Sequence, residues 1–425
     1  MSINYTNASK IELENEYAQC KEKYDALKAQ GLKLNMARGK PGPEQLDLIG
    51  DMLTCLTPED FKGLSVDARN YGELTGLSEA KALFAEILGC KAEEILVGGN
   101  SSLNLMYDTV AKAFTHGLNN FPCPWHKLDK VKWLCPAPGY DRHFKVTESF
   151  GFELITVPMT PTGPDMDTVE ELIKDEAVKG MWCVPKYSNP DGITYSAETV
   201  RRIAAMKPAA PDFLLMWDNA YCIHEFAGDF VPFEDILTLC REAGNPNMVY
   251  EYASTSKMTF PGAGVSVMAT SEDNLTAYKK LLTVEIISYD KVNQLRHVKY
   301  LKNKENTLAL MKKHAGVLAP KFACVLENLE KEIAPTGIAS WQKPTGGYFV
   351  SVNTLPGLAK RTLTLTKEAG VTMTGAGATF PYGIDPNDSN IRIAPSYPTV
   401  SELEKAMQVF CVSMKIAALE QKLGK

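Results

Sequence analysis

The chain has 425 residues, 45% hydrophobic and 23% charged, with a formal net charge of −6. That length buries a large core in two or more lobes, and the acidic balance argues against nucleic acid or an anionic membrane as the main partner. No apolar run approaches the roughly 20 residues that cross a bilayer, the N-terminus lacks a signal peptide's apolar core, and the ten cysteines form no C-x-x-C pair. A cytoplasmic protein with reduced cysteines and no metal is expected.

In chain order, residues 9–30 predict an amphipathic helix with Ile11, Tyr17, Tyr24 and Leu27 near one face and Gly31 as its stop. From about 70 to 270, helical stretches separate the apolar runs EILVGG, KVKWLC, FELITVP, GMWCVP, FLLMWD and MVYEYA. These runs are continuous rather than alternating. Strands covered on both faces read this way, so the region is expected to be α/β with a mainly parallel sheet between helices. Long helices rich in Lys, Leu and Glu follow over 290–333. The last hundred residues mix the strands GYFVSVN and NIRIAPS with helices, one of them terminal from about Ser401. That is the pattern of a smaller α+β lobe.

Polar residues gather where the apolar runs end. Asn189-Pro190-Asp191-Gly192 follows one run, Asp218 and Tyr221 another, and Ser254, Ser256 and Lys257 a third. Ligands of doubly wound sheets sit at the carboxyl ends of the strands, so the three clusters should converge. A carboxylate there can pair a ring nitrogen, a phenol and an amide can bond a ring oxygen, and a desolvated lysine can form an imine. The stretch EILVGGNSSLNLMYDTVAKAF reads as strand, glycine turn and helix, with Leu103, Tyr107, Val110 and Phe114 as its apolar positions. Free amides at that helix start, with Ser101 and Ser102, suit a phosphate. Taken singly, each feature has a plainer reading: the serines as N-caps, Asp218 as a loop cap, Asn189-Pro190 as a turn.

Together and in this order, the motifs resemble the class I aminotransferases of the pyridoxal-phosphate fold-type I superfamily. Asn189-Pro190-Asp191-Gly192 is similar to that family's Asn-Pro-Thr-Gly, Asp218-x-x-Tyr221 to its Asp-x-x-Tyr, and Ser254-Thr255-Ser256-Lys257 to its Ser-x-Ser-Lys. The stretches ARGKPG, NYGELTGL, PAPGYDRHF and DKVNQLRHV resemble the type Ic aspartate aminotransferase branch, grouped with MocR-like aminotransferases.

The resemblance implies a large domain over 45–315 with a seven-stranded-type sheet, and a small domain from 1–44 and 316–425. It implies pyridoxal 5′-phosphate bound covalently at Lys257, which then shuttles the proton. Asp218 would pair the pyridine nitrogen, Tyr221 and Asn189 would bond the ring oxygen, and Tyr140 would stack on the ring. Ser101, Ser102, Ser254 and Ser256 would bind the phosphate, with Tyr71 reaching in from the other subunit of a homodimer. Arg392 in NIRIAPS would hold the substrate α-carboxylate, with Gly39 and Asn189 beside it.

One departure stands out. The family's phosphate-gripping arginine after the lysine is missing from Pro261-Gly262-Ala263-Gly264-Val265. The expected reaction is ping-pong amino transfer between aspartate and 2-oxoglutarate, against a β-lyase, a decarboxylase or a non-catalytic effector domain on the same scaffold. For the distal carboxylate, Lys291 is the first choice and Arg38 the second. The plain alternative reads Lys291 as an exposed helix-start lysine and Arg296, in the same stretch, as a surface ion-pair partner.

Overall fold

The computed structural model describes residues 3–118 and 123–425. The first helix, Lys10–Lys28, starts on a capping box in which Ser9 and Glu12 satisfy each other's backbone amides. Its buried residues are Leu13, Cys20, Tyr24 and Leu27. Ile11, expected on that face, is 71% exposed. Two residues from Leu13 it lies about 200° round the helix, which the heptad of Leu13, Cys20 and Leu27 decides. This face packs on the last helix, Val400–Leu423, and the Tyr24 hydroxyl donates to the Leu365 carbonyl at 2.8 Å.

After the two-residue β1 (Leu34–Asn35), eight strands form the main sheet: β2 (Ile95–Val97), β3 (Lys132–Ala137), β4 (Glu153–Thr160), β5 (Gly163–Pro164), β6 (Val178–Cys183), β7 (Leu214–Asp218), β8 (Val249–Ser254) and β9 (Ser266–Thr270). Their spatial order is β2-β9-β8-β7-β6-β3-β4-β5. The run from β4 to β8 is parallel, whereas β9 is antiparallel to both β8 and β2. β5 only doubles back on the end of β4, so seven strands carry the sheet. All six apolar runs read from the sequence are strands. Central strands β6, β7 and β8 are buried at every residue, as continuous apolar runs require, while β4 towards the edge is buried only in part.

The helix Ser102–His116 buries Leu105, Met106, Val110 and Ala113. Full burial of Leu105 and Met106 contributes roughly 1.5–3 kcal/mol each. The expected face was set partly wrong, because Tyr107 is 45% exposed and lies with its ring against Phe150.

The second layer holds β10 (Ala339–Trp341), β11 (Val350–Thr354) and β13 (Asn390–Ile393) in an antiparallel sheet, and β12 (Val371–Thr372) pairs in parallel with β1. The first helix, Tyr5 and Met36 share one apolar cluster with this C-terminal layer. The helix Lys304–Glu332 runs unbroken past residue 315: Leu310 and Met311 pack in the large-sheet core, Leu318 and Phe322 in the other.

Candidate active site

The carboxyl ends of the parallel strands open on a cavity of about 510 Å³ between the two layers. Ser101, Ser102, Tyr140, Asn189, Asp218, Tyr221, Ser254, Ser256 and Lys257 line it from the main sheet, and Arg38, Gly39 and Arg392 from the other side. The parallel topology causes this convergence, since each strand enters from the same end and delivers the residue after it to the same place.

Asp218 closes β7 and is buried. Its Oδ2 lies 2.9 Å from Nε2 of His143, whose ring stacks on Trp182 at 4.5 Å and 12°. Its Oδ1 is buried with no partner among the described residues. An orphaned carboxylate oxygen costs free energy unless something cationic or protic meets it. Tyr221 sits one turn on, with its ring stacked on Tyr348 at 6.2 Å, and the Tyr348 hydroxyl accepts from Gln45 at 2.9 Å. Burial, then Tyr140 and Asp218, push the Tyr221 phenol well above its ordinary range.

Lys257 follows β8 in the turn that leads to β9. Its Nζ lies 5.1 Å from the Tyr221 ring centroid and 5.7 Å from that of Tyr348. Burial lowers its pKa, and the Asp218 carboxylate opposes that in part. A lysine so placed has a larger fraction of free, nucleophilic amine at neutral pH.

At the other end of the cavity, Ser101 stands at the N-cap of Ser102–His116 but its hydroxyl makes no capping bond. The plain N-cap reading therefore does not account for it. Ser254 Oγ donates to Ser256 Oγ at 3.0 Å beside it. The stretch Pro261–Val265 carries no arginine, and Val265, 2% exposed, gives its amide to Thr255 Oγ1 at 2.9 Å. Arg296 reaches over the same turn instead, with Nη2 3.3 Å from the Ala263 carbonyl. Among the described residues it has no ion-pair partner, against the surface ion pair expected of it.

Arg392, in β13, is held by three oxygens. Nη1 donates to Asn189 Oδ1 at 3.1 Å and to Asp141 Oδ1 at 2.9 Å, and Nη2 to Thr374 Oγ1 at 3.3 Å. The guanidinium lies 4.9 Å from the Phe349 ring. Gly39 is fixed by that ring, since a Cβ there would meet Phe349 Cζ at 2.6 Å. Tyr140 caps the helix Asp141–Ser149, and burial with the nearby Asp218 and Asp141 carboxylates pushes its phenol up to about 12.

Two candidates lie elsewhere. Tyr71 is 79% exposed and does not line this chain's cavity. Lys291 is neither exposed nor in the cavity: it is 3% exposed, with Nζ donating to the Gly72 carbonyl at 2.8 Å. Its helix start turns the side chain under the 70–72 loop, so of the two cations expected for a distal carboxylate only Arg38 faces the cavity. The sequence reading missed His143, Asp141 and Thr374. The first two could have been found, because they sit three and one residues after Tyr140 on the same helical turn.

The donor set suits pyridoxal phosphate. The orphaned Asp218 Oδ1 can meet a protonated ring nitrogen, the uncapped Ser101 and the serines at β8 can meet a phosphate, and the lowered Lys257 amine can meet an aldehyde.

Residues 8–425 match the family model described as aspartate amino-transferase. The chain is 46% identical over 421 residues to the aspartate aminotransferase of Corynebacterium glutamicum, covering 99% of this chain and 97% of that one. A solved aspartate transaminase from Corynebacterium glutamicum superposes with a TM-score of 0.97 at 45% identity, over 99% of this chain and 100% of that one. An α-aminoadipate aminotransferase of Thermus thermophilus, solved with N-(5′-phosphopyridoxyl)-L-leucine, shares the fold at a TM-score of 0.73 and 23% identity, over 99% and 96% of the two chains.

Proposed function

This chain belongs to the aspartate aminotransferase family, a pyridoxal-phosphate family of fold type I, and on that premise we propose that it carries the amino group of aspartate to 2-oxoglutarate. It is an aminotransferase and uses pyridoxal phosphate. The observation that carries the site assignment is the buried His143–Asp218 pair with a free Asp218 oxygen, in one cavity with the Lys257 amine and the Arg392 guanidinium.

The bound cofactor supplies an aldehyde that receives the amino group and a ring that draws electrons from the substrate Cα. The chain's own residues do the rest. Asp218 would keep a proton on the ring nitrogen through its free Oδ1, and His143 fixes that carboxylate through Oδ2. Tyr221 and Asn189 would hold the ring oxygen, Tyr140 would meet the ring, and Ser101, Ser102, Ser254 and Ser256 would hold the phosphate. Lys257 would hold the cofactor through Nζ, and the same Nζ would take the proton from the substrate Cα. Arg392, with Asn189 and Gly39, positions the α-carboxylate so that this proton points at Nζ.

Aspartate is favoured as donor by a second cation on the cavity, Arg38, and by the relative at 46% identity that bears that name. That Tyr71 is exposed and away from its own chain's cavity supports a homodimer in which Tyr71 completes the partner's site. Among the described residues no helix is long and apolar enough to cross a membrane; a cytoplasmic location is proposed with it. Initial rates with a panel of amino donors and 2-oxoglutarate test the reading. Aspartate should lead and oxaloacetate accumulate. Faster turnover of aromatic or branched donors would overturn the substrate, and pyruvate with ammonia formed without any oxo acid would mark a lyase.

A further inference from the structure

Arg392 has five N–H donors. Both hydrogens of Nη1 are used, one on Asn189 and one on the carboxylate of Asp141. Nε is buried and has no partner among the described residues. The cavity therefore reaches the guanidinium by its Nη1–Nη2 edge alone, because the Nε edge is sealed. A substrate carboxylate that takes this edge in the two-pronged geometry arginine favours needs one of the two Nη1 hydrogens, and of their present holders Asn189 is neutral while Asp141 is a competing carboxylate. It also brings a second negative charge against the first, in a site where Arg392 is only 7% exposed.

Asp141 is free to leave. Its side chain is 29% exposed, against 7% for Arg392. It is also the first residue of the helix Asp141–Ser149. A carboxylate on the first turn stays favoured by the helix dipole when it turns out to water. Asn189 and Thr374 are neutral and can remain on Arg392 while the anion changes.

We infer that Asp141 is an exchangeable internal carboxylate: it pairs Arg392 in place of the substrate's α-carboxylate, gives up Nη1 when substrate arrives, and so sets the affinity for both amino and oxo acids. The inference rests on Arg392 as the α-carboxylate site. It concerns Asp141, which that reading does not need. An occupied fork lowers the apparent affinity by the fraction of molecules in which it is open. The effect falls on every carboxylic substrate alike, so Asp141 tunes the working concentration range without choosing between donors. It also ties substrate arrival to Tyr140, the preceding residue, whose phenol the Asp141 carboxylate influences directly.

The test is calorimetric titration of the cofactor-loaded enzyme with succinate, a carboxylate that binds without reacting, together with KM and kcat for aspartate. Asp141→Asn keeps the shape and removes the charge. Succinate should bind about tenfold more tightly and KM for aspartate and 2-oxoglutarate should fall together, while Asp141→Glu restores a competing carboxylate and reverses most of the gain. Asp141→Ser provides a second charge-free variant should the first fold poorly. If both charge-free variants bind succinate as the wild type does or more weakly, Asp141 is a fixed support of Arg392 and the exchange is overturned. Arg392→Lys separates the premise: it should weaken succinate at least tenfold, and unchanged binding there removes the α-carboxylate assignment and the exchange with it.

Discussion

The imidazole of His143 and the carboxylate of Asp218 form a buried pair, Nε2 to Oδ2 at 2.9 Å, and the ring cannot drift because Trp182 stacks on one side and Tyr140 meets its edge at 4.8 Å. A hydrogen bond to a charged group contributes about 1.5–3 kcal/mol. His143→Ala should therefore lower kcat/KM by about tenfold to a hundredfold and weaken cofactor binding. Steady-state kinetics and cofactor titration check it. An unchanged cofactor affinity would mean that Asp218 orients itself without the histidine.

Lys257 should be the residue the cofactor binds covalently. Its amine is held below its ordinary pKa by burial and lies near the rings of Tyr221 and Tyr348. Lys257→Ala should still take up the cofactor from solution, yet lose turnover by several orders of magnitude. Borohydride reduction followed by peptide mapping gives an independent answer in the wild type. A label on any other lysine, such as Lys186 or Lys291, defeats the assignment.

The strands and the residues at their ends were legible in the sequence because burial on both faces leaves runs too apolar to be mistaken. Asp218, Tyr221, Asn189 and Lys257 each follow such a run, so reading the runs located them. Side-chain direction was not legible. Helical spacing of apolar residues puts Ile11 and Tyr107 on the inward faces, whereas the neighbouring Leu13 and Met106 decide which way each helix turns. Lys291 was placed by its distance along the chain from Lys257, and nothing in that spacing shows the Gly72 carbonyl that claims it. Pairings across the chain such as Asp141 with Arg392 join residues 251 apart, and only the packed lobes bring them together.

Glu251 provides a pH-dependent readout of the strand beneath the site. It lies in β8, buried, and accepts from Asn219 Nδ2 at 2.8 Å. Burial raises its pKa from an ordinary 4.5 to about 8, with the Asn219 bond opposing. The folded chain thus holds this proton more tightly than the unfolded chain. The stability it contributes is complete below 4.5 and is lost as pH climbs through 8. The loss is on the order of a few kcal/mol. Glu251→Gln has no proton to lose, so its melting temperature should gain on the wild type by a few °C between pH 5 and pH 9. Parallel melting curves across that range would show that Glu251 does not titrate there.

Shared sites in a dimer give a complementation pattern that separate sites cannot. Tyr71 is exposed in its own chain and away from its own cavity. Lys257→Ala and Tyr71→Phe chains should each be impaired, and after subunit exchange a hybrid dimer holds one intact site. Random mixing makes about half the dimers hybrid, so about a quarter of wild-type activity should return. Proven exchange without recovery places Tyr71 outside the partner's site.

The distal carboxylate tests Arg38, the second of the two cations expected to hold it. Arg38 lines the cavity and has no ion pair among the described residues, while the neighbouring Lys40 ammonium lies 3.9 Å over the Tyr397 ring. With Lys291 engaged on Gly72, Arg38 is the better placed of the two expected cations. The change from lysine to arginine matters for selectivity. A guanidinium can hold a carboxylate by two parallel bonds, where an ammonium holds it as a point charge, so discrimination against neutral donors should be stronger than a lysine would give. Losing one charge-assisted contact of about 1.5–3 kcal/mol predicts a rise in aspartate KM of about tenfold or more in Arg38→Ala. Alanine has no distal carboxylate, and its KM should barely move. Arg38→Lys should fall between the two, keeping the charge and losing the fork. An equal rise for aspartate and alanine would shift Arg38 to general electrostatic attraction, and no rise for either would leave it a solvated side chain at the rim.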